Sequence, residues 1–212
     1  MLTNNSITMK NLIKIIFVLA VFLNLSFTSD DNKKITVIID AGHGGHDHGS
    51  TSELVLEKEL MKQISDKINV LNTNTEVTFL FTRTDDYFLS LKDRVEFITI
   101  HKPDLVISLH SNYTKNETAS GVEAFVSDKS VAFEKSNELA LKLVDEIAQN
   151  TSMNNRGVKN APFLLLSKTE VPAITLELGF LSNEEDRKFI TSEEGQNKIA
   201  LTIIDFASKL KQ

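Results

Sequence analysis

The chain has 212 residues, 41% of them apolar and 25% charged, with 23 Lys and Arg against 29 Asp and Glu for a net charge of −6. This is the composition of a folded globular protein with one core, and its acidity argues against a phosphate backbone as a partner, so no nucleic-acid role is expected. Cysteine is absent, which removes disulfide scaffolds, thiolate metal sites and cysteine nucleophiles together and leaves His and carboxylates as the available metal ligands.

At the N-terminus, Lys10 and Lys14 precede an apolar run from Ile15 to Leu23, and the polar Ser29, Asp30, Asp31 and Asn32 follow it. A membrane span needs about 20 apolar residues, whereas a signal peptide needs only about 7 to 15. Residues 1–29 are therefore expected to be a secretory signal cleaved near 26–29. Residues 30–212 are the exported domain, with no stable membrane span after cleavage. The expected location is the cell envelope, periplasmic or extracellular.

Beyond Lys34, β-type runs alternate with helical periodicity. Strands are expected at 35–40, 76–82, 104–110, 122–127, 163–167 (FLLLS) and 173–180, and helices near 56–72, 89–101, 131–150 and 193–211. Near-continuous apolar strands interleaved with helices predict an α/β fold: a single three-layer domain whose mostly parallel central sheet of about six strands is flanked by helices. In such sheets ligands bind beyond the C-terminal strand ends, so polar residues there come first.

The first strand runs into AGHGGHDHGS (41–50), which lacks both the dinucleotide fingerprint and the Gly-Lys-Ser/Thr of a phosphate loop. It carries three histidines instead. His43 lies nearest the strand end, where the scaffold holds it most firmly, and His46 and His48 read as a solvated loop. Glu57 heads a helical stripe with Met61, Ile64, Ile68 and Leu71, while Lys58, Lys62 and Ser65 point the other way. A carboxylate above an apolar stripe needs a metal or cationic partner, since burying it unpaired costs several kcal/mol. On helix-dipole grounds alone, Glu53 and Glu59 are as eligible as Glu57. His110 ends LVISLH, at the edge where His43 is expected. Two imidazoles with one carboxylate form the ligand set of many catalytic zinc sites, with a fourth position open for water. Glu177 interrupts the apolar AITLELGF near its C-terminal end and is read as the general base, the competing reading being a buried ion pair with Arg83 or Arg94.

Taken together, DAGHGG (40–45), LEKEL (56–60), SLHSN (108–112) and ELGFLSN (177–183) resemble the zinc-dependent N-acetylmuramoyl-L-alanine amidases of the AmiC type, the amidase_3 family. The four segments occur in family order over roughly residues 34–210, and 82–94 and 121–123 also look like family segments. The resemblance implies Zn2+ held by His43, Glu57 and His110, Glu177 as the catalytic glutamate, and peptidoglycan or a muropeptide as substrate, cut between N-acetylmuramic acid and L-alanine. Regulated members of the family carry a helical insert that blocks the metal after the strand following the second histidine. Here Ser127 and Ser136 bracket only a short link, so an activator protein is not expected to be required. Asn112 and Arg94 are either substrate contacts or ordinary structural partners. Two other functions compete: a zinc carboxypeptidase of wall peptides, and a non-catalytic peptidoglycan-binding regulator.

Overall fold

The computed structural model describes residues 34–52 and 55–211; the expected signal segment lies outside them. The central sheet is built from β1 (Ile35–Ala41), β4 (Val77–Phe81), β5 (Leu105–Asn112), β6 (Val122–Val126), β7 (Asn155–Asn160) and β8 (Ala173–Phe180). A short hairpin, β2 (Thr51–Ser52) with β3 (Val55–Leu56), stands apart from it. Strand order is β4-β1-β5-β8-β6-β7. The pairings are parallel except between β6 and β8.

Side-chain alternation explains both the layers and the site. Val37, Ile39 and Ala41 of β1, Leu105, Ile107 and Leu109 of β5, and Ile174, Leu176 and Leu178 of β8 all belong to one buried cluster. Helices α1 (Glu57–Leu71), α3 (Phe133–Thr151) and α6 (Glu193–Ser208) cover that face, joined by Ile190 of α5 (Glu184–Thr191). On the opposite face only the N-terminal halves are apolar. There Ile38, Val106 and Ala173 pack with Ile98 of α2 (Leu91–His101) and with Leu165 and Leu166 of α4 (Leu164–Lys168). Toward the strand ends this face turns polar, as Ile38 gives way to Asp40, Val106 to Ser108 and His110, and Ala173 to Thr175 and Glu177. Apolar burial thus holds the sheet together at one end and frees the other end for chemistry.

The three-layer α/β architecture matches the expectation, with one exchange. Residues 163–167 are not a strand. Residues 164–168 form α4, where Ser167 N–H donates to the Phe163 carbonyl at 2.9 Å and Leu165 and Leu166 point into the core. A run of four apolar residues fits a buried helical turn as well as a strand. The sixth strand is instead the polar NRGVKN of β7, an edge strand with no fully buried residue. Helix α5 was not anticipated either, although Asn183 caps it by accepting from Asp186 N–H.

Candidate metal centre and catalytic cleft

His43 follows β1 in a left-handed conformation, φ 61°, which a non-glycine residue holds only when its surroundings fix it. Two buried guanidiniums do so. Arg83 donates to the carbonyls of Ala41 and Gly42, both at 2.9 Å, and of Lys58 at 2.7 Å. Arg94 donates to the carbonyls of Ala41 at 2.9 Å and His43 at 2.6 Å. Arg94 is itself paired with Asp40, which also accepts from Thr82 Oγ1 and Ser108 Oγ. Burial alone would raise the Asp40 pKa, but Arg94 and the two hydroxyl donors outweigh it and hold the carboxyl below its ordinary value.

His43, Glu57 and His110 meet at one point. Glu57 Oε1 lies 3.1 Å from His43 Nε2 and 2.9 Å from His110 Nδ1, and one donor atom from each residue falls within 4.8 Å of the others. Ligands about 2.0–2.1 Å from a tetrahedral zinc stand about 3.3 Å apart, so the set fits that ion after small adjustments. Asp47 Oδ2 lies 2.9 Å from His43 Nδ1, the outer carboxylate that orients many metal-binding imidazoles. Burial tends to raise the Glu57 pKa, yet hydrogen bonds with His110 and His43 hold it well below the carboxylate range. Glu57 Oε2 accepts from Ser50 N–H at 2.7 Å and Oε1 from Ser111 N–H at 3.1 Å. The carboxylate that heads the apolar stripe is therefore fixed from both sides. Glu59 is exposed and Glu53 lies outside the described residues.

Several expectations change at this level. Lys58 does not point away: it is 6% exposed, with Nζ donating to the Gly45 carbonyl at 2.8 Å and to Asp86 at 2.6 Å. Ser65 is buried too, because α1 packs against α6 and the glycine loop as well as the sheet. His46 and His48 are exposed, as read. Asn112 donates to Glu123 at 2.9 Å.

Glu177 lies beside His110 in the β5–β8 register. Its Oε2 is buried and has no hydrogen-bond partner among the described residues, and Arg83 and Arg94 are engaged as above, so the ion-pair reading fails. Burial is the main cause that pushes its pKa up to about 7, with Glu57 and Glu123 adding to the rise and His110 and His43 opposing it. Two clefts share His43, His110 and Glu177. One, of about 570 Å³, is walled by Phe88, Leu91, Phe163 and Leu164. The other, of about 390 Å³, is polar and includes Ser50, Asn112 and Tyr113.

Residues 37–209 match the N-acetylmuramoyl-L-alanine amidase family, Amidase_3. The chain belongs to this family. It is 29% identical over 170 residues to the N-acetylmuramoyl-L-alanine amidase LytC of Bacillus subtilis, covering 80% of this chain and 34% of LytC, and so spans about a third of that relative. The crystal structure of an N-acetylmuramoyl-L-alanine amidase from Clostridium difficile 630 matches with a TM-score of 0.77 and 34% identity, over 82% of this chain and 95% of that one. The CwlD amidase from Clostridioides difficile, in complex with the GerS lipoprotein, matches with a TM-score of 0.76 and 30% identity, over 83% of this chain and 98% of that one. Membership sets the reaction class as hydrolysis of the amide between the muramoyl group and L-alanine in peptidoglycan.

Proposed function

We propose that this amidase is zinc-dependent, with His43, Glu57 and His110 as the metal ligands and Glu177 as the acid–base catalyst. The observation that carries the reading is the meeting of three donor atoms, one from each ligand, beside a buried carboxyl oxygen without a partner. When bound, zinc supplies Lewis acidity at the scissile carbonyl and lowers the pKa of a coordinated water toward neutrality. The chain's own residues do the rest. Asp47 fixes the His43 ring, and the backbone N–H groups of Ser50 and Ser111 fix Glu57. Glu177 accepts a proton from water as the water oxygen bonds to the amide carbon. It then returns that proton to the nitrogen as the C–N bond breaks, releasing the muramoyl lactyl carboxylate and the amino terminus of L-alanine. Burial raises the pKa of this carboxyl and a dication beside it would draw that value back down, leaving a carboxylate that can take up a proton and give it back.

We propose further that the chain is exported, since its substrate lies outside the cytoplasm and residues 1–29 have the pattern of a secretory signal. No described helix is long and apolar enough to cross a membrane. The link between β6 and α3, residues 127–132, carries no helical insert, and this supports a cleft open without a partner. The test is digestion of purified muropeptides. New L-alanine amino termini, lost on chelation, are expected; release of free D-alanine instead would identify a carboxypeptidase, and binding without cleavage a regulator.

A further inference from the structure

The polar row on the cleft face continues past Glu177. Glu123 of β6 stands directly opposite it in the antiparallel pair, so the two carboxylates share a face. Glu123 is 2% exposed. Its Oε1 accepts from Asn112 Nδ2 at 2.9 Å, and its Oε2 accepts from Arg156 Nε at 2.7 Å and Lys159 Nζ at 2.6 Å. Residues three apart on a regular strand point to opposite faces, yet Arg156 and Lys159 reach the same carboxylate. Strand β7 manages this with one extra residue: Val122 pairs with Asn155 and Ala124 with Val158. The resulting bulge at Arg156 and Gly157, with Gly157 at φ 77°, turns both cations toward Glu123.

Neutralising Glu123 requires one cation, and two are present. The nearby Asp186 carboxylate accepts from the backbone N–H groups of Gly121 and Phe180 and also attracts Arg156 electrostatically. This basic pair nonetheless stays 33% and 42% exposed and carries guanidinium and ammonium N–H groups beyond the two that Glu123 accepts. It also borders the catalytic cleft, because Lys159 lies 5.7 Å from the Phe125 ring and Phe125 packs 5.2 Å from Phe163 of the cleft wall. Adjacent strands are about 4.8 Å apart, so β7 lies roughly 10 Å from β8, the reach of about three extended residues.

We propose that Arg156 and Lys159 form a subsite for a carboxylate of the stem peptide, that of the glutamyl residue following L-alanine. The assignment rests on the amidase reading above and sets the direction of the substrate: the peptide runs from Glu177 across β6 to the β7 edge. A charge-assisted contact at a half-exposed site should favour the acid over its amide by about tenfold or more.

The test is calorimetric binding of N-acetylmuramoyl-L-alanyl-D-glutamate, with both glutamyl carboxyls free or both amidated, to full-length zinc-loaded protein carrying Glu177→Gln so that the ligands persist. The acid is expected to bind at least about tenfold tighter, and adding Lys159→Gln or Arg156→Gln should cut the preference below about threefold. The ratio within one variant cancels any loss of folded protein. Equal affinities, no binding of the acid, or a preference that survives both substitutions would overturn the subsite. Hydrolysis assays on the unsubstituted protein separate the two claims: the expected preference without hydrolysis of either ligand defeats the amidase reading alone, and hydrolysis without preference defeats the subsite alone.

Discussion

In the proposed mechanism the chemistry turns on Glu177, and its isolation has thermodynamic as well as catalytic consequences. Positioned acid–base catalysis is worth about 10²–10⁴ in rate, so Glu177→Gln should reduce turnover by at least that range while bound zinc, measured by atomic emission, stays at the parent level. Its folded pKa of about 7 lies above the ordinary 4.5. The folded state therefore holds this proton more tightly than the unfolded chain, and the stability it contributes is complete below pH 4.5 and lost as pH rises through 7. In metal-free protein, Glu177→Gln should raise stability at pH 8 by up to about 3 kcal/mol, with the gain vanishing near pH 4.5; urea unfolding at the two pH values measures it. An equal effect at both would show that Glu177 is not perturbed by burial. This residue was legible in the sequence because a carboxylate inside an apolar strand stands out. The buried state of Lys58 was not, because its partners Gly45 and Asp86 come from a loop and a turn that periodicity does not locate.

The first strand and its glycine loop form the element that fixes the proposed ligands. At Gly49, with φ +66°, an added Cβ would sit 2.5 Å from His43 Cδ2 and 2.6 Å from Glu57 Oε2, so Gly49→Ala must displace two ligands at once. Zinc affinity should fall at least about tenfold with the fold retained, as metal titration monitored beside circular dichroism will show. Beneath the loop, Asp40→Ala leaves Arg94 buried and unpaired, a loss of about 3–5 kcal/mol that denaturant unfolding can measure. Because the Asp40 pKa is lowered, the stability it confers is present above the ordinary 3.8 and is lost as pH falls through the lowered folded value. The parent should therefore approach the variant's stability only in strong acid. At this scale β1, β5 and β8 were legible from their apolar runs and strand-end polar residues. Strand β7 was not, since an edge strand needs only backbone pairing, and a five-residue leucine-rich run does not distinguish α4 from a strand. Arg83 and Arg94 could be seen as cations, but the carbonyls they clamp lie up to 53 positions away.

Across the whole molecule, one division of labour organises the sheet: one face is buried along its length, and the other is apolar only at the end away from the cleft. The sequence shows this as the change from Ile, Val and Ala to Asp, Ser, His, Thr and Glu at alternate positions of three strands, which is why the position of the site could be read before its geometry. The six-residue link between β6 and α3 leaves the clefts uncovered by any insert among the described residues. Purified chain should accordingly cleave muropeptides with no added protein, and strict dependence on a partner would contradict the proposed open cleft. The proposed mechanism requires a single zinc held by His43, Glu57 and His110, and calorimetric titration of chelated protein with zinc tests that requirement most directly. One equivalent taken up per chain, and none by His110→Ala that remains folded, is the predicted result; no uptake by the parent, or undiminished uptake by the variant, would contradict it.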